Sequence, residues 1–156
     1  MTSTPIAATL TAARPAPLWR RFASMLYDLF PLIGLWIAAS GLWMLAFYRT
    51  DDLQHMVVAL QSPLDLALRD LWLVAITAAY FVLSWKRVGA TIGMRAWRVR
   101  LLREDGSRVG IGLAFLRFVL ALVSFALAGC GFWVAWFDAD RRAWHDRVCG
   151  TRMIRM

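Results

Sequence analysis

Cysteine is scarce in this 156-residue chain: there are two, without framework spacing, which excludes a disulfide-stapled scaffold. Charge is scarce too, at 18% Asp, Glu, Lys and Arg, against about 25% in ordinary globular domains. Histidine occurs only as His55 and His145. Cys149 stands near His145, but one cysteine and one histidine do not make a metal site. No nucleophile-and-base pair stands at a recognisable spacing, and there is no phosphate-cradling glycine loop, internal repeat or low-complexity segment. The expectation is a chain that is not an enzyme and holds no metal or other cofactor. The hydrophobic share is 60%, which excludes disorder, since disordered chains combine high charge with low hydrophobicity. The charge that is present is one-sided: 18 Lys+Arg against 10 Asp+Glu, a formal net charge of +8. That balance fits either a nucleic-acid binder or a membrane protein with basic loops, and the positions of the arginines decide.

Those positions leave long stretches empty. Leu29–Tyr48 and Phe118–Phe137 each run 20 residues without a charge, about what a roughly 30 Å hydrocarbon core requires. Leu71–Trp85 is a shorter uncharged run that reaches spanning length with Arg69 and Asp70 at the interface. Three such runs cannot be core helices, because the remainder of the chain is too small to cover them. The expected fold is an all-α membrane protein: a bundle of three hydrophobic segments, about 26–48, 69–87 and 115–137. A mobile tail over 1–18 precedes a single domain over 19–156. Nucleic acid is set aside as a partner; the basic loops face anionic lipid headgroups. Trp19, Trp43, Trp72, Trp85, Trp133, Trp136 and Trp144 fall near the ends of the runs, as an interfacial belt would place them. Abundance of tryptophan alone would also account for them.

Orientation follows the arginines of the short loops. The first flank carries Arg14, Arg20 and Arg21. The loop from Arg49 to Asp65 has one arginine against Asp51, Asp52 and Asp65. The next loop carries Lys86, Arg87, Arg95, Arg98, Arg100, Arg103 and Arg108. The first two spans therefore read as a hairpin with the N-terminus and second loop cytoplasmic. Arg20-Arg21 looks like a twin-arginine signal, but Asp28 and the length of the apolar run argue for an uncleaved span. The C-terminal tail, with Arg141, Arg142, Arg147, Arg152 and Arg155, also looks cytoplasmic. A third single span would put it outside. Either Gly129-Cys130-Gly131 breaks the third segment into a re-entrant pair, or the tail is external.

Within the second loop, Asp105-Gly106 between short alternating stretches predicts a β-hairpin with a type I′ turn on the membrane surface. Gly89 and Gly93 in GATIG are spaced for a close backbone approach, or mark a plain turn. Asp28 lies seven residues from Arg21 on nearly the same helix face, about 10.5 Å deeper. An acidic group at that depth needs a bundle interior or a watery cavity. It is either a proton or cation site, or half of a fixed ion pair. Arg117, at similar depth, is its expected partner.

These residues together resemble the RDD family of small bacterial membrane proteins, named for an arginine and two aspartates. WRRFASMLYD is similar to that family's opening motif, with Arg21 and Asp28 as its first arginine and aspartate. GATIGMRAWRVRLLREDG resembles the central G-x-T-x-G-K stretch, at Gly89, Thr91 and Gly93. Arg117 matches the arginine that opens the last hydrophobic segment. RRAWHDRVCGT resembles the closing motif, at His145, Asp146, Gly150 and Thr151. Met94 departs from the usual lysine and Trp144 from the preferred leucine. The resemblance implies a presumed transport role, with sodium/proton antiport suggested for some relatives. Three segments do not easily enclose a pathway, so transport would require a homo-oligomer. The alternative is a scaffold or partner subunit of another membrane protein, with Arg21, Asp28, Arg117, His145 and Asp146 as a structural charge network.

Overall fold

A computed structural model describes residues 15–47, 62–127 and 142–155. The described chain is mostly helical, with one two-stranded antiparallel sheet. In order it runs α1 (Leu18–Phe47), α2 (Pro63–Arg87), α3 (Ile92–Ala96), β1 (Val99–Arg103), α4 (Ile111–Ala126), α5 (Trp144–Val148) and β2 (Thr151–Arg155). Both α1 and α2 begin before the expected spans. The third span is described only to Leu127, so the proposed break at Gly129–Gly131 lies outside the described residues, as do Trp133 and Trp136.

Helices α1 and α2 are long and apolar enough to cross a membrane, and only 11% of the most apolar stretch of each is buried. Phe30, Ile37 and Leu45 stand 74%, 70% and 80% exposed. Large apolar surface left uncovered marks a lipid or protein contact. The helices thus fit a membrane protein.

The chain divides into two compact units. Residues 29–80 form one. There Trp36 Nε1 donates to Thr77 Oγ1 (2.9 Å) and Trp72 Nε1 to the Ala39 carbonyl (3.2 Å). Indole N–H groups among apolar side chains require such partners.

Residues 1–28 and 81–156 form the other unit. Its sheet corrects the expected hairpin. Asp105-Gly106 does turn the chain: Gly106 N donates to the Arg103 carbonyl (2.9 Å) and Arg103 N to the Ser107 carbonyl (3.0 Å). Among the turn residues Gly106 alone takes a positive φ, +81°. This is a three-residue loop with glycine in the left-handed position rather than a type I′ turn. No strand follows it; β1 pairs instead with β2, with Val99 opposite Arg155, Leu101 opposite Met153 and Arg103 opposite Thr151. The reason is the inward face. Val99 and Leu101 are fully buried, and β2 brings the buried Met153 opposite Leu101 on that face, an apolar partner that Ser107-Arg108 does not offer.

The end of the expected tail is packed as well. Pro15 bridges to Ile154, Ala16 N donates to the Met153 carbonyl (2.9 Å), and Ala16 has no exposed surface. Residues 1–14 lie outside the described residues. The strand pairing also bears on the tail's side, because two hydrogen-bonded strands cannot be separated by a bilayer. β2 therefore lies on the same side as β1 of the second loop.

Candidate functional site

The family-type charges all fall in the unit that holds the sheet, in two adjoining clusters. The first corrects the expected Asp28–Arg117 pair. Asp28, 3% exposed, accepts from Thr91 Oγ1 on Oδ2 (2.5 Å) and from the Gly93 amide on Oδ1 (2.8 Å). Thr91 in turn caps α3, accepting from Met94 N at 3.2 Å. The carboxylate thus binds the first turn of a short helix, where free amides and a partial positive charge favour an anion. The two glycines of GATIG divide the two readings between them. Gly89 is a turn residue at φ +76° whose carbonyl accepts from Leu101 N (2.7 Å). Gly93 is the close approach: a Cβ there would lie 2.1 Å from the Ser24 carbonyl oxygen. Met94 of the same stretch is buried.

The second cluster centres on Asp146, which is entirely buried. Arg117 Nη2 donates to its Oδ1 (2.5 Å) and Arg21 Nη1 to its Oδ2 (3.0 Å). Ala143 N also reaches Oδ2 (3.3 Å), so the carboxylate caps the start of α5 as well. Arg117 had been expected to face Asp28 because both enter at similar depth; Asp146 is closer because α5 packs on α4. The Arg117 guanidinium also lies over the Trp85 ring, 4.7 Å from its centroid. A desolvated contact of this kind contributes about 2 kcal/mol. Trp85 is buried against the guanidinium, whereas Trp19 and Trp144 are exposed.

Arg21 joins three segments: its Nε also donates to the Ala16 carbonyl (3.3 Å), and Ala16 hydrogen-bonds to β2. His145 is 2% exposed, its Nε2 3.8 Å from Asp146 Oδ1, beyond hydrogen-bonding reach. Burial, with the positive fields of Arg117 and Arg21, lowers its pKa to about 4 against the pull of Asp146. It is neutral at pH 7. Burial pushes the Asp146 carboxyl up, but the Arg117 and Arg21 guanidiniums outweigh this and hold it below its ordinary value. Burial raises the Cys149 thiol. Gly150 adopts φ +54° after α5, its carbonyl accepts from Glu104 N (3.0 Å), and buried Thr151 opens β2. The cavity beside Arg21, His145 and Asp146 measures about 10 Å³, room for one water at most.

Three contributors escaped sequence reasoning: Thr91 as the donor to Asp28, Trp85 as the platform for Arg117, and Ala16 as the anchor of Arg21. The spacing of Thr91 two residues before Gly93 was visible; the Arg117–Trp85 contact spans 32 positions, and Ala16 is held in place by its bond to Met153 in the distant strand β2.

A family model for the RDD family matches residues 15–150, nearly the whole described chain. The chain belongs to the RDD family. No curated protein and no solved structure matches it. In this RDD protein Arg21 and the two aspartates reach different elements of the fold. Arg21 donates to Asp146, and Asp28 accepts from Thr91 and Gly93 of GATIG.

Proposed function

We propose that this RDD protein is a multi-pass inner-membrane subunit that does not itself carry ions and is not an enzyme. Its buried charges lock a rigid polar cap onto the basic, cytoplasmic ends of α1 and α2. The observation that carries the reading is the commitment of both aspartates to protein donors: Asp28 to Thr91 and Gly93, Asp146 to Arg21 and Arg117. A carboxylate that exchanges proton for cation must release its partners to do so, and among the described residues the cavity beside Asp146 has room for one water at most. The uncovered apolar faces of α1 and α2 suit lipid, a second copy or a partner membrane protein. The arginine distribution supports a cytoplasmic N-terminus.

Proteoliposomes of the purified protein test the reading under imposed sodium and proton gradients. No coupled flux above that of empty vesicles is expected. Asp28→Asn keeps one acceptor and disturbs the Thr91 bond, lowering stability in detergent by about 1–3 kcal/mol. Wild-type flux abolished by Asp28→Asn at unchanged stability would instead make Asp28 a transport site.

A further inference from the structure

The cytoplasmic end of α2 carries a second feature, separate from both charge clusters. A cleft of about 180 Å³ lies between the last turn of α2 and the start of α3. Its walls include Leu83, Ser84, Arg87, Val88, Ile92 and Arg95, and none of the lining residues is acidic. Arg87 and Arg95 are both exposed, and neither forms an ion pair among the described residues. A third guanidinium joins them, because Arg108 Nη1 donates to the Arg87 carbonyl (3.3 Å). On the apolar side, Leu83, Val88 and Ile92 are 41%, 39% and 51% exposed. The cleft is therefore cationic on one wall and greasy on the other, where a helix of spanning length ends.

We propose that this cleft binds one anionic phospholipid, its phosphate between Arg87 and Arg95 and an acyl chain along Leu83, Val88 and Ile92. The proposal rests on the membrane reading above, which places Arg87 at headgroup level. Planar guanidiniums match phosphate oxygens in paired hydrogen bonds. Basic pockets at the cytoplasmic ends of spans attract anionic headgroups beyond the diffuse pull of the surface. Free phosphate would satisfy the arginines but leave the apolar wall uncovered, so the diacyl ligand fits both halves.

Native mass spectrometry of the full chain in detergent tests this with phosphatidylglycerol, phosphatidylcholine of the same chains, and inorganic phosphate. Phosphatidylglycerol is expected to bind about tenfold more tightly than phosphatidylcholine, a difference of about 1.4 kcal/mol. Arg87→Gln/Arg95→Gln should abolish that preference at an unchanged melting temperature, since both side chains are exposed. The charge-matched pair Arg103→Gln/Arg155→Gln should retain it. Equal binding of the two lipids overturns the proposal, as does equal loss in the charge-matched pair, which would mean bulk attraction to a basic protein. Displacement of phosphatidylglycerol by equimolar inorganic phosphate would mean a free-anion site and also overturns it. Carbonate washing separates the two failures. A protein stripped from membranes refutes the spanning reading and the lipid site together, while a retained protein with no lipid preference refutes the lipid site alone.

Discussion

Gly93 and His145 show how single residues hold this unit together. Any side chain at 93 must pass within 2.1 Å of a backbone oxygen in α1, and backbone cannot give way as a flexible side chain can. Gly93→Ala should therefore destabilise the protein by about 1–3 kcal/mol or more. Gly112→Ala, where a Cβ meets nothing within 4 Å, should be neutral to slightly stabilising. Thermal melting of the two variants in detergent checks the contrast. His145 sets a pH dependence. It titrates near 6.5 when unfolded and at about 4 in the fold, so between those values the unfolded chain takes a proton that the folded site refuses. The contribution is complete above pH 6.5 and lost as pH falls toward 4, on the order of 3 kcal/mol. Below pH 4, protonation of Asp146, whose pKa is depressed, removes more. Melting temperatures should fall between pH 7.5 and 5, and His145→Gln should flatten that slope.

Among the elements, the short sheet joins the chain's two ends to its middle. β2 carries Met153 and Ile154 into the core and receives Ala16, while Glu104 N bonds to the Gly150 carbonyl just before the strand begins. Deleting 151–156 should leave Val99 and Leu101 without their cover and release the Arg21 anchor at Ala16. Limited proteolysis should then cut the 98–108 loop several times faster than in the full chain, while the long helices persist by circular dichroism. Five-residue helices such as α3 and α5 do not stand by propensity alone. Asp28 and Asp146, each bonded to amides at the start of one of them, replace the missing length.

For the molecule as a whole, the pairing of β1 with β2 bears on the question raised by the basic tail, because two hydrogen-bonded strands lie on one side of any bilayer. Compartment reporters inserted at Asp105 and fused after Met156 should therefore give the same signal, inactive for a periplasm-dependent reporter. Opposite signals would refute the pairing.

Much of this was legible from the residues alone. Charge-free runs of set length mark α1 and α2, because the hydrophobic effect acts on composition over a window, and no partner needs to be known. The family-type positions at Arg21, Asp28, Arg117 and Asp146 could also be read, as could the burial of Asp28, since an acidic group flanked by apolar residues must find protein donors. Which donors it finds could not be read. Arg117 faces two acidic candidates at similar depth, and only the packing of α5 on α4 brings Asp146 to 2.5 Å. The hairpin failed for the same reason: Asp105-Gly106 encodes a turn locally, but the strand that fills the sheet comes from residues 151–155, fifty positions away. Local sequence governs turns, helix lengths and the side on which charge accumulates; pairing between distant residues depends on which combination buries the most apolar surface while leaving no charge alone, and that is a property of the assembled fold.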